Sequence, residues 1–360
     1  METVHVALGN RSYDIVIGEG LLVTAGERCK ELRIGPSCLL VTDSNVGPLY
    51  SNELSSTLGQ SGFRASIANV PAGERSKSVE QLARLWREAI DAGLDRASFV
   101  MALGGGVVGD LSGFVAASVL RGIQMVQVPT SLLAMVDSAV GGKTGINLAQ
   151  GKNLIGAFLQ PALVLTDLDV LQTLPRREFN AGMAEIIKYG VIYDAELFAY
   201  IETHIEAIQA MEVEALTHLI RRSCEIKAAV VEEDEQEHGL RAILNYGHTL
   251  GHAIEQVTEY GTYLHGEAIS IGMMYASLLS ETVCGLEPEI TRRQRALFEA
   301  FDLPVAAADL DWASLRAAMS ADKKAANTVP RYVLAHELGK VGLPLEVADK
   351  ALNEAWTSLS

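Results

Sequence analysis

The hydrophobic pattern of this chain of 360 residues changes about halfway along. In the first half, short β-rich runs alternate with helical stretches, and the runs cover residues 39–42, 98–103, 124–128 and 162–167. Strands that alternate with helices form a parallel sheet joined by crossover helices. The sequence therefore predicts an α/β domain with a parallel, Rossmann-like sheet over residues 1–175.

After Leu174-Pro175 the pattern becomes that of long helices. Apolar residues recur at helical spacing over residues 177–189, 195–209, 213–231, 241–257, 266–284 and 289–301. The next β-rich run is the short segment 331–334. A mainly α-helical second domain is therefore predicted over residues 176–360, with the connector 167–175 as the boundary. Two domains also suit the length, at roughly 150 residues each.

Composition limits the partners and the compartment. A net charge of −16 argues against binding to nucleic acid or to an anionic membrane, because both need basic surface. The first residues, Met1–Val6, lack a basic stretch followed by an apolar one, and no apolar run approaches the roughly 18 residues of a membrane span. The four cysteines form no CxxC pair, which favours reduced thiols. We expect a cytoplasmic protein.

A glycine-rich turn follows the second predicted strand. Gly104, Gly106 and Gly109 fit GxGxxG between an apolar run and a helix, where glycines let a pyrophosphate approach the helix N-terminus. Glycine clusters also form tight turns that bind nothing. The acidic residue that usually holds a ribose is missing after the next strand, and Asp43 could replace it from the end of an earlier strand. Asp43 could equally cap a turn.

Two basic segments follow the glycine turn. Gly141-Gly-Lys143-Thr resembles the end of a phosphate loop, but Asp137 occupies the position of its first glycine. A P-loop NTPase is therefore not predicted. Lys143 and Lys152 remain available as charges that bind an anion.

Three of the eight histidines lie within residues 245–265. His248 and His252 are one helical turn apart, a spacing that suits two ligands of one zinc ion, or one ligand beside a proton-transfer group. They could also be polar helix residues satisfied by hydrogen bonds. Other polar residues precede them at helical spacing, namely Asn245, Arg241 and Glu237.

Together these stretches resemble the 3-dehydroquinate synthase family of NAD-dependent sugar-phosphate cyclases. The likeness is carried in order by residues 41–45, 71–77, 104–110, 128–137, 141–144, 151–158, 184–190, 245–252, 265–267 and 322–324. Ser131 stands where the family more often has Thr. The segment 147–151 also departs from the common pattern.

The resemblance implies a bound NAD and one divalent metal, zinc, with cobalt as the alternative. It assigns the metal to Glu185, His248 and His265, so that His252 becomes a proton-transfer residue instead of a ligand. The implied catalytic residues are His252, Glu237, Lys143 and Asn245. The implied NAD-binding residues are Asp43, Glu74, Lys77, Gly105, Gly106, Asp110, Thr130, Ser131, Lys152 and Thr173. Those implied to bind substrate are Arg121, Lys143, Asn153, Lys188, Lys227, Arg241, Asn245 and Lys324, with Lys323 as the alternative to the last.

The implied activity is that of a lyase. The family converts 3-deoxy-D-arabino-heptulosonate 7-phosphate to 3-dehydroquinate and phosphate in the shikimate pathway, and it regenerates its NAD. The resemblance also suggests a homodimer. Three alternatives stay open: another sugar-phosphate cyclase, a metal-dependent polyol dehydrogenase, and a non-catalytic protein that binds NAD or metal.

Overall fold

The computed structural model describes residues 1–148, 150–237, 239–307, 309–324 and 329–359, with the side chains of 321–324 left out. The chain forms two compact units. The first comprises Met1–Leu174 and Leu216–Glu232, and the second comprises Pro175–Ala215 and the described residues from Glu233 onwards. The chain thus returns to the first unit for one helical segment.

The first unit contains a sheet with helices in its connections. Its strands are β1 (Glu2–Val6), β2 (Tyr13–Gly18), β3 (Ser37–Asp43), β4 (Arg64–Val70), β5 (Phe99–Gly104), β6 (Gln124–Pro129), β7 (Lys143–Leu148), β8 (Gly151–Phe158) and β9 (Leu163–Asp167). Its helices are α1 (Leu21–Lys30), α2 (Gly47–Gln60), α3 (Val79–Asp91) and α4 (Gly106–Ser118).

The seven-stranded sheet has the order β1-β2-β9-β6-β5-β3-β4. Strands β2, β9, β6, β5, β3 and β4 pair in parallel, and β1 joins the edge antiparallel to β2. The predicted α/β fold is confirmed, and all four predicted runs are strands of this sheet. Strands β7 and β8 form a separate antiparallel hairpin.

The core of this unit lies where α3 and α4 cover the sheet. Every residue of β5 is buried, as expected for a central parallel strand covered on both faces. Helix α3 buries Leu82, Leu85 and Ala89, which recur on one helical face, and the Ser78 side chain caps its start by accepting from the Gln81 amide. Their side chains join Val100 of β5 in one apolar cluster. This packing holds the end of β5, and with it the glycine turn, in place.

The second unit is mainly helical, as predicted. Its helices are α5 (Arg176–Ile192), α6 (Ala195–Thr203), α7 (Ile205–Gln209), α9 (His248–Val257), α10 (His265–Cys284), α11 (Pro288–Ala300), α12 (Trp312–Lys324) and α13 (Asp349–Leu359), and α8 (Val213–Glu233) runs from this unit into the first. A short antiparallel pair comprises β10 (Ala335–Glu337) and β11 (Lys340–Val341). Within the described ranges, no helix is both long and apolar enough to cross a membrane.

One predicted helix is wrong in its first half. Residues 241–257 were expected to form one continuous helix, with a polar stripe from Glu237 to His252. Instead Leu240–Asn245 is a separate 3-10 turn, and α9 begins only at His248. The physical reason is Gly247, whose φ of +79° breaks the helix in a conformation that favours glycine. The stripe is therefore not one helical face.

Glycines let three helices of this unit approach closely. A Cβ on Gly272 of α10 would lie 2.0 Å from the carbonyl oxygen of Gly247, just before α9. A Cβ on Gly266 would lie 1.9 Å from the carbonyl oxygen of Ala181 in α5. Side chains larger than hydrogen would therefore push α10 away from both α9 and α5.

Replacement of Gly272 by alanine tests this packing. We expect Gly272→Ala to lower the free energy of unfolding by about 1–3 kcal/mol, because the added methyl group meets backbone that cannot move aside cheaply. Urea unfolding followed by circular dichroism measures the change. Gly59→Ala is the matched control, because Gly59 lies in α2 with nothing within 4 Å of an added Cβ. That control should gain about 0.4–1 kcal/mol. Equal stability of Gly272→Ala and the unaltered chain would contradict the close approach.

Candidate functional site

Three side chains on three helices of the second unit converge on one point. Glu185 lies in α5, while His248 and His265 are the first residues of α9 and α10. The Glu185 Oε1 atom is 3.5 Å from His248 Nε2 and 3.7 Å from His265 Nε2. Their ligand atoms all lie within 4.8 Å of one another. The structure thus brings together the three residues predicted to bind the metal.

The geometry and chemistry of this group fit a divalent metal. Zinc in proteins binds imidazole nitrogen and carboxylate oxygen at about 2.0–2.2 Å, so two donors of a tetrahedral ion lie about 3.4 Å apart. The two measured separations from Glu185, 3.5 and 3.7 Å, are close to that value. Two histidines and one carboxylate also match a catalytic zinc site, in which the remaining position is open to substrate or water.

Both imidazoles are oriented by a hydrogen bond at their other nitrogen. His248 Nδ1 is 3.1 Å from the backbone oxygen of Tyr246, and His265 Nδ1 is 3.2 Å from Glu255 Oε2. Metal-binding histidines commonly use such partners, which direct the opposite nitrogen towards the ion. Glu255 was missed by the sequence analysis, although it shares α9 with His248 and His252.

Burial and neighbouring charges set the protonation of the group. Burial lowers the pKa of His248 to about 3, with the nearby Lys188 ammonium acting in the same direction. Burial alone would also lower the pKa of His265, but hydrogen bonds to Glu185 and Glu255 raise it to about 10. Lys188, itself buried, forms an ion pair with Glu185. His248 is therefore a neutral imidazole at physiological pH, which is the form that binds metal.

His252 lies beside the three donors but outside their group. Its ring centroid is 5.2 Å from that of His248 and 6.0 Å from that of His265, and its side chain is exposed. Glu237 Oε1 is 3.4 Å from Asn245 Nδ2, so these two predicted catalytic residues contact each other. The catalytic role of each stays a prediction.

In the first unit, the predicted NAD residues follow the carboxyl ends of parallel strands. Asp43 ends β3, the glycine turn follows β5, Thr130 follows β6 and Thr173 follows β9. From β3 the chain continues to β4 on one side and then to β5 on the other, so β3 and β5 flank the switch point of the sheet. Ligands of open α/β sheets bind in the crevice at such a point.

Neighbouring side chains lie close to the backbone of the glycine turn. Thr130 donates its amide to the Gly104 carbonyl oxygen at 3.0 Å. A Cβ on Gly105 would lie 3.4 Å from Ser131 Oγ, and one on Gly106 would lie 2.9 Å from Ser138 Oγ. Helix α4 begins at Gly106, so its N-terminal amides point into the turn, as a pyrophosphate site requires.

A second predicted NAD segment forms a charged network. Lys77 Nζ is 2.7 Å from Asp110 Oδ2 and 3.8 Å from Glu74 Oε1, and it also donates to the side chain of Asn153. Burial raises the pKa of Asp110, and the Lys77 ammonium opposes that rise. Lys152 Nζ lies 3.9 Å from Glu74 Oε1. Five predicted residues thus meet, among them Asn153, which was assigned to the substrate.

Two further assignments show local contacts of their own. The Asp43 Oδ1 atom accepts from the amides of Asn45 and Val46 at 2.8 and 3.0 Å, which is the turn cap considered as one interpretation. Thr173 Oγ1 is 2.6 Å from the Tyr50 hydroxyl. NAD binding by Asp43 and Thr173 stays a prediction.

The remaining predicted substrate residues are distributed over both units. Lys227 Nζ donates to the backbone oxygen of Asp137 at 2.5 Å and to the Asp137 carboxylate at 2.6 Å. Arg241 is buried and donates to the Glu235 backbone oxygen at 2.6 Å. Arg121 and Lys143 are exposed. The side chains of Lys323 and Lys324 lie outside the described part of the structure, as does Ala149 of the divergent segment.

Solved structures with this architecture define the class. The 2-epi-5-epi-valiolone synthase of Streptomyces hygroscopicus, with NAD⁺ and Zn²⁺ bound, has a TM-score of 0.89 and 28% identity, and the match covers 98% of each chain. A 2-deoxy-scyllo-inosose synthase complexed with carbaglucose-6-phosphate, NAD⁺ and Co²⁺ has a TM-score of 0.90 and 26% identity over 99% of this chain and 100% of that one. The chain has the fold of these sugar-phosphate cyclases and is an enzyme of that class.

Sequence comparisons define the family. Residues 67–181 match the family model for the 3-dehydroquinate synthase N-terminal region, and residues 182–325 match that for its C-terminal region. A 3-dehydroquinate synthase of Geobacter metallireducens is 50% identical over 339 residues, which are 94% of each chain. The chain belongs to the 3-dehydroquinate synthase family.

Replacement of the two histidines of α9 separates a ligand from its neighbour. We expect His248→Ala to retain no more than about a tenth of the metal in the purified protein, because one of the three donors is removed. Loss of a group that only orients a donor already costs roughly 10–100-fold in metal affinity. His252→Ala should keep most of its metal and lose turnover. Elemental analysis and an activity assay on the same preparations measure both. Equal metal loss in the two variants would contradict the separate role of His252.

Proposed function

We propose that the chain catalyses the conversion of 3-deoxy-D-arabino-heptulosonate 7-phosphate to 3-dehydroquinate and phosphate. The observation that carries the proposal is the convergence of Glu185, His248 and His265 in a chain of this family. The identity of 50% to a curated 3-dehydroquinate synthase favours this substrate over those of the valiolone and inosose synthases, at 28% and 26%.

The proposed cofactors are NAD and one divalent metal. Both solved cyclases carry NAD⁺, one with Zn²⁺ and the other with Co²⁺. Here Glu185, His248 and His265 would hold the metal, and zinc is the ion we propose because it suits two imidazoles and a carboxylate. The NAD would lie at the switch point, on the residues predicted for it. Bound NAD would accept and return a hydride, and the metal would polarise a substrate hydroxyl.

The residues of the chain then have distinct tasks in the proposed reaction. The substrate is oxidised at C5, which acidifies C6, and phosphate leaves by β-elimination. Its own phosphate would accept the C6 proton, so the chain needs cationic anchors more than a dedicated base. Lys227 and Arg241 would hold anionic groups of the substrate. His252 would transfer the proton of the C5 hydroxyl, which is within the capacity of an imidazole near neutral pH.

After phosphate leaves, three changes would complete the proposed reaction. The C5 ketone would be reduced again, the pyranose ring would open, and an intramolecular aldol step would close the carbocycle. The hydride lost in the first step is regained in the third, so NAD is not consumed. The net change is elimination with ring closure, which makes the proposed enzyme a carbon-oxygen lyase.

The biological setting follows from this activity. We propose a role in the shikimate pathway, in chorismate and aromatic amino-acid biosynthesis, with a homodimer in the cytoplasm as the working form. We further propose that residues 1–175 are the NAD-binding domain and 176–360 the domain for metal and substrate. The division of the structure between Leu174 and Pro175 supports this assignment, with 216–232 as an addition to the first domain.

Another sugar-phosphate cyclase is the second candidate, because the solved cyclases of similar fold act on other substrates. A polyol dehydrogenase would accumulate NADH in proportion to product. A non-catalytic regulator would show no turnover dependent on metal. One assay separates all of these from the proposed activity.

The assay measures phosphate release from the seven-carbon substrate, with and without a chelator. We expect release that stops on chelation and returns with zinc, while NADH absorbance shows no net rise. Glucose 6-phosphate and sedoheptulose 7-phosphate are the control substrates, as the six-carbon and non-acid analogues. Faster phosphate release from either control would replace the proposal by another cyclase, and stoichiometric NADH would replace it by a dehydrogenase.

A further inference from the structure

A buried carboxylate on α9 lies next to the metal-binding histidines. Glu255 is 4% exposed and lies seven residues after His248 and three after His252, which places all three on the same helical face. Its neighbours on α9, Ala253 and Ile254, are buried and apolar. A carboxylate in such surroundings costs free energy unless a charged or polar group compensates it.

His265 is a group that compensates it. Glu255 Oε2 is 3.2 Å from His265 Nδ1, and the other nitrogen of that ring is 3.7 Å from Glu185 Oε1. A neutral imidazole carries one proton, and the carboxylate of Glu255 can only accept a hydrogen bond when ionised. In the neutral form of His265 that binds metal, the remaining proton therefore lies on Nδ1, where Glu255 accepts it, and Nε2 is the donor atom for the metal.

The two histidines differ in what orients them. His248 Nδ1 contacts the backbone oxygen of Tyr246, which is present whatever residue occupies position 246. His265 Nδ1 contacts a side chain, so its orientation depends on the residue at position 255. A negative partner also makes the opposite nitrogen a stronger donor to a metal than a neutral one does.

We propose that Glu255 is a positioning residue of the metal centre, which fixes the tautomer and the ring orientation of His265 and thereby strengthens metal binding. The inference rests on the proposed metal site of Glu185, His248 and His265. Glu255 acts through His265 and does not itself bind the metal.

The same carboxylate offers one competing arrangement. Ligand atoms of His252, Glu255 and His265 also lie within 4.8 Å of one another and could hold an ion themselves. His252 is exposed, whereas Glu185 is fully buried in the other group. A metal in this second group would need His252, while a metal in the first group needs His248. Variants of these two histidines therefore distinguish the arrangements.

The experiment measures zinc affinity of the metal-free, full-length chain by competition with a chromophoric chelator. We expect Glu255→Gln, which keeps an oxygen acceptor without its charge, to weaken binding about tenfold, and Glu255→Ala to weaken it about 100-fold. Co²⁺ bound to Glu255→Ala should also show a shifted visible absorption band, because the orientation of one ligand is lost. Glu255→Gln should retain a spectrum close to that of the unaltered chain.

Three controls make the outcomes distinct. Glu202→Gln removes a carboxylate that pairs with Arg293 elsewhere in the second unit, and it should leave zinc affinity unchanged. Unchanged zinc affinity in Glu255→Ala, with tight binding by the unaltered chain, would overturn the inference alone. Weak binding by the unaltered chain, unaffected by His248→Ala, would instead overturn the proposed metal site. A loss in His252→Ala as large as in Glu255→Ala, with His248→Ala unaffected, would place the metal in the second group and also overturn the inference.

Discussion

The buried carboxylate of Glu185 is the constraint on which the second unit depends. Its side chain is fully buried in α5, where an uncompensated charge would cost several kcal/mol. Lys188, one turn later, compensates it from the same helix, and the imidazoles of His248 and His265 approach it from two others. Removal of either histidine, or separation of the helices, would leave the charge less well satisfied. The side chains that form the site are thus also the ones through which α5, α9 and α10 meet.

Backbone contact is what lets three helices meet at one carboxylate. The histidines stand at the first positions of α9 and α10, so small displacements of those helix starts would move the donor atoms directly. Gly266, next to His265, touches the backbone of α5, and Gly247, next to His248, touches that of α10. A side chain at either glycine would act on the neighbouring ligand through the shared backbone. The glycines around the site therefore have a geometric function.

The sequence predicts the central elements and misses the peripheral ones. Strands β3, β5, β6 and β9 are found because burial makes them continuous apolar runs. Strands β4 and β8 are missed because most of their side chains are exposed and show no clear alternation. Among the donors, Glu185 could be assigned only through the family resemblance, since its distance along the chain from His248 carries no geometric information. Glu255 was missed because its partner, His265, comes from another helix.

Three buried lysines of this anionic chain are paired with carboxylates. The net charge is −16, yet Lys77, Lys188 and Lys227 are each buried and each lie against a carboxylate within their own unit. The carboxylate beside each lysine orients its ammonium group by an ion pair. Because each charge is already balanced, a single phosphate gains little net Coulomb energy on arrival. Anion binding beside any of these lysines therefore depends on hydrogen bonds from an oriented ammonium group more than on net charge.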